Sequence, residues 1–200
     1  ERLFPDLNSN SKVILSFNDN CFFLILFFFG MFKNENIFII NKKSTKYELN
    51  NIKSFVKPTH IFTDSKSNEF NKIYNKLVKK IIKTEDFTKK KLKIKANKNR
   101  YITLFTSGTT GTPKGVMLSY HNLFSRINAN KKHINFAKIE NVLVTLQLSF
   151  GHGLIGNALT ALFSKKNIFL INIYNMKYLN NISEIIKKNN INFFWTVPSQ

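Results

Sequence analysis

One cysteine in 200 residues, Cys21, leaves no partner for an intramolecular disulfide and no thiolate cluster for a metal. It lies in an apolar run, which predicts a buried, inert thiol rather than a nucleophile. Arginine is almost as scarce. Arg2, Arg100 and Arg126 stand beside 28 lysines, and with only 11 acidic residues the formal charge reaches +20. Nucleic-acid binding is one reading of that charge. Bidentate recognition of guanine, however, is mostly an arginine task, and asparagine is as abundant as lysine. A compositional drift toward Lys and Asn accounts for both, and predicts no specific nucleic-acid partner. Long apolar runs are missing too. Residues 21–32 (CFFLILFFFGMF) would cover about 18 Å as a helix, against the ~30 Å of a hydrocarbon core. Asp19 before the run and Lys33-Asn34-Glu35 after it lack the flanks of a signal peptide. The expectation is a buried helix, no transmembrane segment and a cytoplasmic setting.

What is present reads as a folded chain. Its 43% hydrophobic content is that of a globular protein rather than a disordered one. The length suits one domain or part of a larger one. It opens at Glu1 without Met and stops at Gln200 straight after an apolar run, which suggests a piece of a longer protein. Short continuous apolar runs at 13–15, 37–40, 60–63, 101–105, 142–146, 167–173 and 192–196 read as strands covered on both faces. Between them, residues 21–32, 45–55, 70–82, the stretch after Ser119, 154–163 and the segment around Tyr178, Leu179, Ile182, Ile185 and Ile186 read as helices. Residues 89–100 (KKKLKIKANKNR) read as a basic linker with a short edge strand through Leu92 and Ile94, and with a possible weak pull on phosphate. The alternation implies an α/β fold of mostly parallel sheets flanked by helices.

Glycine is rare, with seven in the chain, yet three of them fall within residues 106–116 (TSGTTGTPKGV). Gly108 and Gly111 would let a bulky anion approach the main chain, and successive N–H groups there could converge on phosphate oxygens. Thr106, Ser107, Thr109, Thr110 and Thr112 add hydroxyls, and Lys114 adds a cation. A hydrogen bond to a charged group contributes about 1.5–3 kcal/mol, so several converging donors could hold a polyphosphate. The pattern is neither the Walker P-loop nor the dinucleotide fingerprint. Pro113 precedes Lys114 and Gly115 follows it, so an extended segment, not a helix, is expected from Lys114.

The run from Thr106 to Gly115 resembles the phosphate-loop signature of the adenylate-forming superfamily, which includes acyl-CoA synthetases, luciferases and the adenylation domains of peptide synthetases. The resemblance reaches further. Residues 12–64 are similar to that family's opening region, and Thr196-Val197-Pro198 to a later segment. The stretch 116–123 (VMLSYHNL) matches a family motif except that Tyr120 stands where His is usual. His121, one place later, is read as a surface residue without a catalytic role. Residues 147–154 (QLSFGHGL) resemble the next motif, with Gln147 in place of proline. By that resemblance Phe150 would line or gate an acyl pocket, and Gly153 and Leu154 match. His152 has two readings, one facing the substrate and one capping the turn.

The resemblance implies that the chain is part of the large N-terminal domain of an adenylate-forming enzyme, spanning residues 1–200 without the C-terminal portion. The implied reaction joins a carboxylic acid to ATP, giving acyl-AMP and pyrophosphate, followed by transfer to a thiol. CoA or a carrier-protein phosphopantetheine would be the acceptor. Thr106, Ser107, Gly108, Thr109, Thr110, Gly111 and Lys114 would grip the β- and γ-phosphates, and Phe150, His152 and Gly153 would shape the acyl pocket. Catalytic residues and the Mg2+ ligand are expected beyond Gln200, so residues 1–200 alone are expected to be inactive. The alternative from another class is a lysine-rich module that binds nucleic acid or an anionic surface without catalysis.

Overall fold

The computed structural model describes residues 11–64, 94–106, 113–171 and 180–197. Two sheets organise it. In the first, β1 (Lys12–Ser16), β2 (Asn36–Ile39), β3 (His60–Thr63), β4 (Tyr101–Thr106) and β5 (Lys114–Ser119) lie in the order β3-β1-β2-β4-β5. The first four are parallel and β5 returns antiparallel to β4. In the second, β6 (Asn141–Val144) lies between β7 (Asn167–Leu170) and β8 (Phe193–Trp195), all parallel.

Helices cover both faces of each sheet, which is why the strands read as unbroken apolar runs. Val13, Leu15, Ile37 and Ile39 point into the main core, while Ile14, Phe38 and Ile40 point the other way, onto α2 (Lys46–Val56) through Ile52 and Val56. The main core is shared by both sheets. Between them lie α1 (Asn20–Phe32), α3 (Tyr120–His133) and a helical segment running from His152 to Phe163. That segment is π-helical over His152–Leu159 and continues as α4 (Thr160–Phe163). On the outer face of the second sheet, Ile182, Ile185 and Ile186 of α5 (Ile182–Lys188) pack on Leu143, Ile171 and Ile191. The layers thus run helix, sheet, helices, sheet, helix.

Local chemistry places the helix ends. The Asp19 carboxylate accepts from the Phe22 N–H at 2.8 Å and starts α1. Thr45 and Glu48 form a reciprocal capping box at α2. Residues Phe22, Phe23, Leu26, Phe27 and Met31 make α1 a core helix, each contributing about 1.5–3 kcal/mol by burial. Among the described residues no helix is long and apolar enough to cross a membrane.

Three expectations change here. Cys21 is exposed, not buried, because the first turn of α1 turns it away from the core. Partial shielding from water and the nearby Asp19 carboxylate raise its pKa, which disfavours the thiolate. Residues 94–100 form no strand, although Ile94 packs against the core. The helix after 153 begins earlier and with π geometry. The expected helix over 70–82, Leu92, Tyr178 and Leu179 lie outside the described residues.

Asp64, just past β3, ties that strand to the β1–α1 turn. It accepts from the Asn18 N–H at 2.6 Å and the Asp19 N–H at 3.1 Å, and pairs with Lys42 Nζ at 3.0 Å. Burial works to raise its pKa, but these bonds outweigh it and hold the carboxyl below its ordinary value. Its contribution is therefore complete above the unfolded value near 3.8 and is lost as pH falls through the lower folded value. Asp64→Ala is expected to cost about 2 kcal/mol in urea unfolding at pH 7, with the deficit shrinking in strong acid.

Candidate functional site

β4 leaves the core at its carboxyl end. Ile102, Thr103 and Leu104 are buried, Phe105 is half-buried and Thr106 is exposed. β5 then returns beside it in a register that pairs Thr106 with Lys114, Phe105 with Gly115 and Leu104 with Val116. Thr106 Oγ1 donates to the Lys114 carbonyl at 3.4 Å. The hairpin thus sets Thr106 and Lys114 opposite one another at the base of the hydroxyl- and glycine-rich loop. Ser107, Gly108, Thr109, Thr110 and Gly111 lie outside the described residues. Lys114 is exposed and, among the described residues, has no ion-pair partner. The extended run expected from Lys114 is present as β5.

The hairpin forms one wall of an open cleft of about 900 Å³. Leu104, Val116 and Leu118 supply apolar wall, and a largely polar face of α3, with Asn122, Ser125, Arg126 and Asn130, supplies a second wall. The third wall is the turn at 149–152 with the start of the π-helical segment. Phe150 and His152 both line the cleft and both are exposed. The His152 ring stands edge-on to Trp195 at 5.3 Å and 82°. No side-chain hydrogen bond caps the start of that helix. Thr106, Phe105 and Phe150 also border a smaller cavity of about 210 Å³ on the other side, with Lys43 and Ser44.

Gly153 is not on the cleft wall. It is buried behind the turn, where a Cβ would come within 2.2 Å of the Gln147 carbonyl oxygen. Its role is to let that backbone approach, which corrects its expected place in an acyl pocket. Gln147 holds the turn without the expected proline. Its carbonyl accepts from the Phe150 N–H at 3.2 Å, and its side-chain oxygen accepts from Asn41 Nδ2 at 3.0 Å. Tyr120 is fully buried, and its hydroxyl donates to the Glu35 carbonyl. A phenol at this position thus serves the core, not the cleft. His121 is exposed, and only its backbone N–H reaches across, to the Asn97 carbonyl at 3.2 Å.

Sequence reasoning missed Trp195, Gly156 and Arg126, which all line the cleft. Trp195 is the single tryptophan, a signal of a kind, but only the pairing of β8 with β6 brings it to His152. Gly156 yields to that ring: a Cβ there would meet Trp195 Cζ3 at 2.8 Å. The wider turn of the π-helix, with the Thr160 hydroxyl donating to the Ile155 carbonyl at 2.6 Å, occurs beside the cleft, where such segments are often found. Among the described residues no group of three His, Cys, Asp or Glu could hold a metal, and no carboxylate lines the cleft.

The family model for the AMP-binding enzymes matches residues 8–200. A mitochondrial malonate–CoA ligase of Xenopus laevis is 35% identical over 60 residues, 30% of this chain and 10% of that protein. A sulfoacetate–CoA ligase of Cupriavidus necator is 42% identical over 60 residues, 30% of this chain and 12% of that protein. Among solved structures, an o-succinylbenzoate coenzyme A synthetase from Bacillus subtilis in complex with AMP superposes with a TM-score of 0.75. It is 15% identical, and the match covers 96% of this chain and 50% of that one. ATP-bound MatB from Rhodopseudomonas palustris gives a TM-score of 0.69 at 19% identity, over 88% of this chain and 38% of that one. The likeness to these structures is one of fold, and the chain spans half of their length or less.

Proposed function

Because the chain belongs to the AMP-binding enzyme family, we propose that its protein activates a carboxylic acid with ATP, forming acyl-AMP and pyrophosphate, and then passes the acyl group to a thiol. The observation that carries this reading is the β4–β5 hairpin, which sets Thr106, on the cleft wall, opposite Lys114 at the two ends of the hydroxyl-rich stretch.

In this reading the carboxylate oxygen attacks the α-phosphorus. The new O–P bond forms as the bond to the β-phosphate oxygen breaks, and pyrophosphate leaves. The obstacle is charge, since an anion must approach a triphosphate and more charge grows on the leaving group. Donors fixed in place beforehand offset it without reorganising during reaction. Lys114 supplies a cation and Thr106 a hydroxyl, and Ser107, Thr109, Thr110 and the backbone at Gly108 and Gly111 add donors to the β- and γ-phosphates. Phe150, His152 and Trp195 exclude water around the acid and orient it. A thiol sulfur then attacks the acyl carbonyl and AMP departs. CoA ligases among the relatives support CoA as acceptor, and a carrier-protein phosphopantetheine is the same chemistry on a larger partner. Mg2+ would offset phosphate charge when bound. The described lining of the cleft offers it no carboxylate.

The test is pyrophosphate exchange into ATP by the complete protein over a panel of carboxylic acids. Acid-dependent exchange is expected, and Lys114→Ala should raise the KM for ATP at least about tenfold, the loss of one charge-assisted hydrogen bond. Exchange that is independent of acid, or an unchanged KM for ATP in the variant, would remove the basis of the assignment.

A further inference from the structure

We propose that Asn41 and Gln147 are positioning residues: their hydrogen bond holds the turn that carries Phe150 and His152 at a fixed place relative to Thr106. This rests on the acid-activating reading above and adds the device that keeps the two sides of that site in register.

The need for a restraint arises at position 147. A proline there would fix φ and stiffen the turn by itself, whereas Gln147 leaves that torsion free. The structure supplies the restraint from a distant part of the chain. Asn41 Nδ2 donates to Gln147 Oε1 at 3.0 Å, 106 residues away and in a half-buried setting. Further bonds orient both ends. Asn41 Oδ1 accepts from the Lys43 N–H at 2.9 Å, and the Asn41 carbonyl accepts from the Ser44 N–H at 3.0 Å. With its amide oxygen committed to its own loop, Asn41 turns its amide nitrogen toward Gln147. At the other end, the Gln147 carbonyl accepts from the Phe150 N–H at 3.2 Å and is the atom to which Gly153 gives way. The residue whose main chain closes the turn is thus tied by its side chain to the first sheet.

Asn41 is a suitable reference point. β2 pairs in parallel with β4, with Ile39 beside Leu104. Asn41 and Thr106 each lie two residues beyond that pair, so the register brings them to the same level at the carboxyl edge. Lys43, Ser44, Thr106 and Phe150 border one cavity of about 210 Å³ with Asn41. A second cavity, of about 30 Å³, adjoins Asn41, Gln147 and Leu148. An untied turn therefore has space into which it can shift. The core shared by the two sheets is apolar, and apolar contact is non-directional. A hydrogen bond fixes both a distance and a direction. The tie accordingly decides where the Phe150 turn sits along the edge of the first sheet. The hairpin that carries Thr106 and Lys114 is held by its own ladder and does not depend on it.

The experiment measures pyrophosphate exchange by the complete protein with the best acid of the panel. Gln147→Met removes the acceptor and keeps the bulk. The expected result is a KM for the acid raised about fivefold, the worth of one neutral hydrogen bond, with the KM for ATP unchanged. Gln147→Glu keeps an oxygen for Asn41 Nδ2 and should recover most of the loss. Asn41→Ala should show the same split between the two KM values. The double variant Asn41→Ala/Gln147→Met should lose no more than either single one, because both act through one bond. Should Gln147→Met fold poorly, Asn41→Ala read against Gln147→Glu carries the comparison. An unchanged KM for the acid, losses that add in the double variant, or equal rises in both KM values overturn the proposal while leaving acid activation intact. No exchange by the unaltered protein with any acid rejects the parent reading and this inference together.

Discussion

Gly153→Ala is expected to destabilise the fold by at least ~3 kcal/mol, read as a fall in the urea midpoint or in Tm. The added methyl would sit 2.2 Å from the Gln147 carbonyl oxygen and 3.0 Å from that of Leu146. Both obstacles are backbone, so no side-chain rotation relieves the overlap. The carbonyl of Gln147 also closes the turn onto the Phe150 N–H. Any shift that makes room for the methyl therefore moves Phe150 and His152 on the cleft wall. Gly151→Ala, two residues earlier, is the control. A Cβ there meets only Leu104 Cδ1 at 3.5 Å, an ordinary contact, and its effect should stay below about 1 kcal/mol. Helix propensity favours alanine at both positions, so similar losses in the two variants would show that the close approach of Gln147 is not what sets the requirement at 153.

The second large effect is a gain. Glu35 is 0% exposed at the start of β2, and both its carboxylate oxygens are without a side-chain partner. Burial pushes its pKa up to about 7, against the opposing pull of Arg100, the Ser11 backbone and Lys33. The folded state thus holds a proton that the unfolded state releases near 4.5. Stability from this group is complete below that unfolded value, declines as pH rises, and is fully lost above about 7. Glu35→Gln keeps the shape and removes the charge. It should therefore raise stability at pH 8, by at most ~3 kcal/mol, and change little at pH 4.5. Chemical unfolding at the two pH values checks it, and an equal effect at both would place the cause in packing rather than ionisation. The same burial and the neighbouring Glu35 keep the Tyr120 phenol protonated, with its pKa raised further despite Arg100.

Much of the architecture was legible in the chain because it depends on local periodicity. The strands over 37–40, 60–63 and 101–105 appear within about a residue of their expected places, as does the helix expected over 45–55, now α2. Continuous apolar strands signalled parallel sheets buried on both sides, and two such sheets are present. The exposure of Cys21 was not legible, because a helix apolar on nearly every side does not reveal which residue faces out. Nor was the π-helical geometry of His152–Leu159, or the close approach of the Trp195 ring to Gly156 within it.

The site divides along the same line. Residues 106–116 led to the expectation of an anion-binding loop from composition alone, because glycines, hydroxyls and a lysine at close spacing suit that chemistry wherever the chain goes. The sequence by itself thereby determined the family and the α/β layering. Tertiary structure alone decided what shares a cleft with Thr106. Arg126, Phe150 and Trp195 are distant along the chain, and meet only through the antiparallel return of β5, the packing of α3 and the pairing of β8 with β6. Gly153 shows the converse: a residue that fits a pocket motif in sequence is held out of the cleft by the path of the Gln147 backbone. Chemistry of single residues is local, whereas juxtaposition is a property of the packed core, and no periodicity in the chain encodes it.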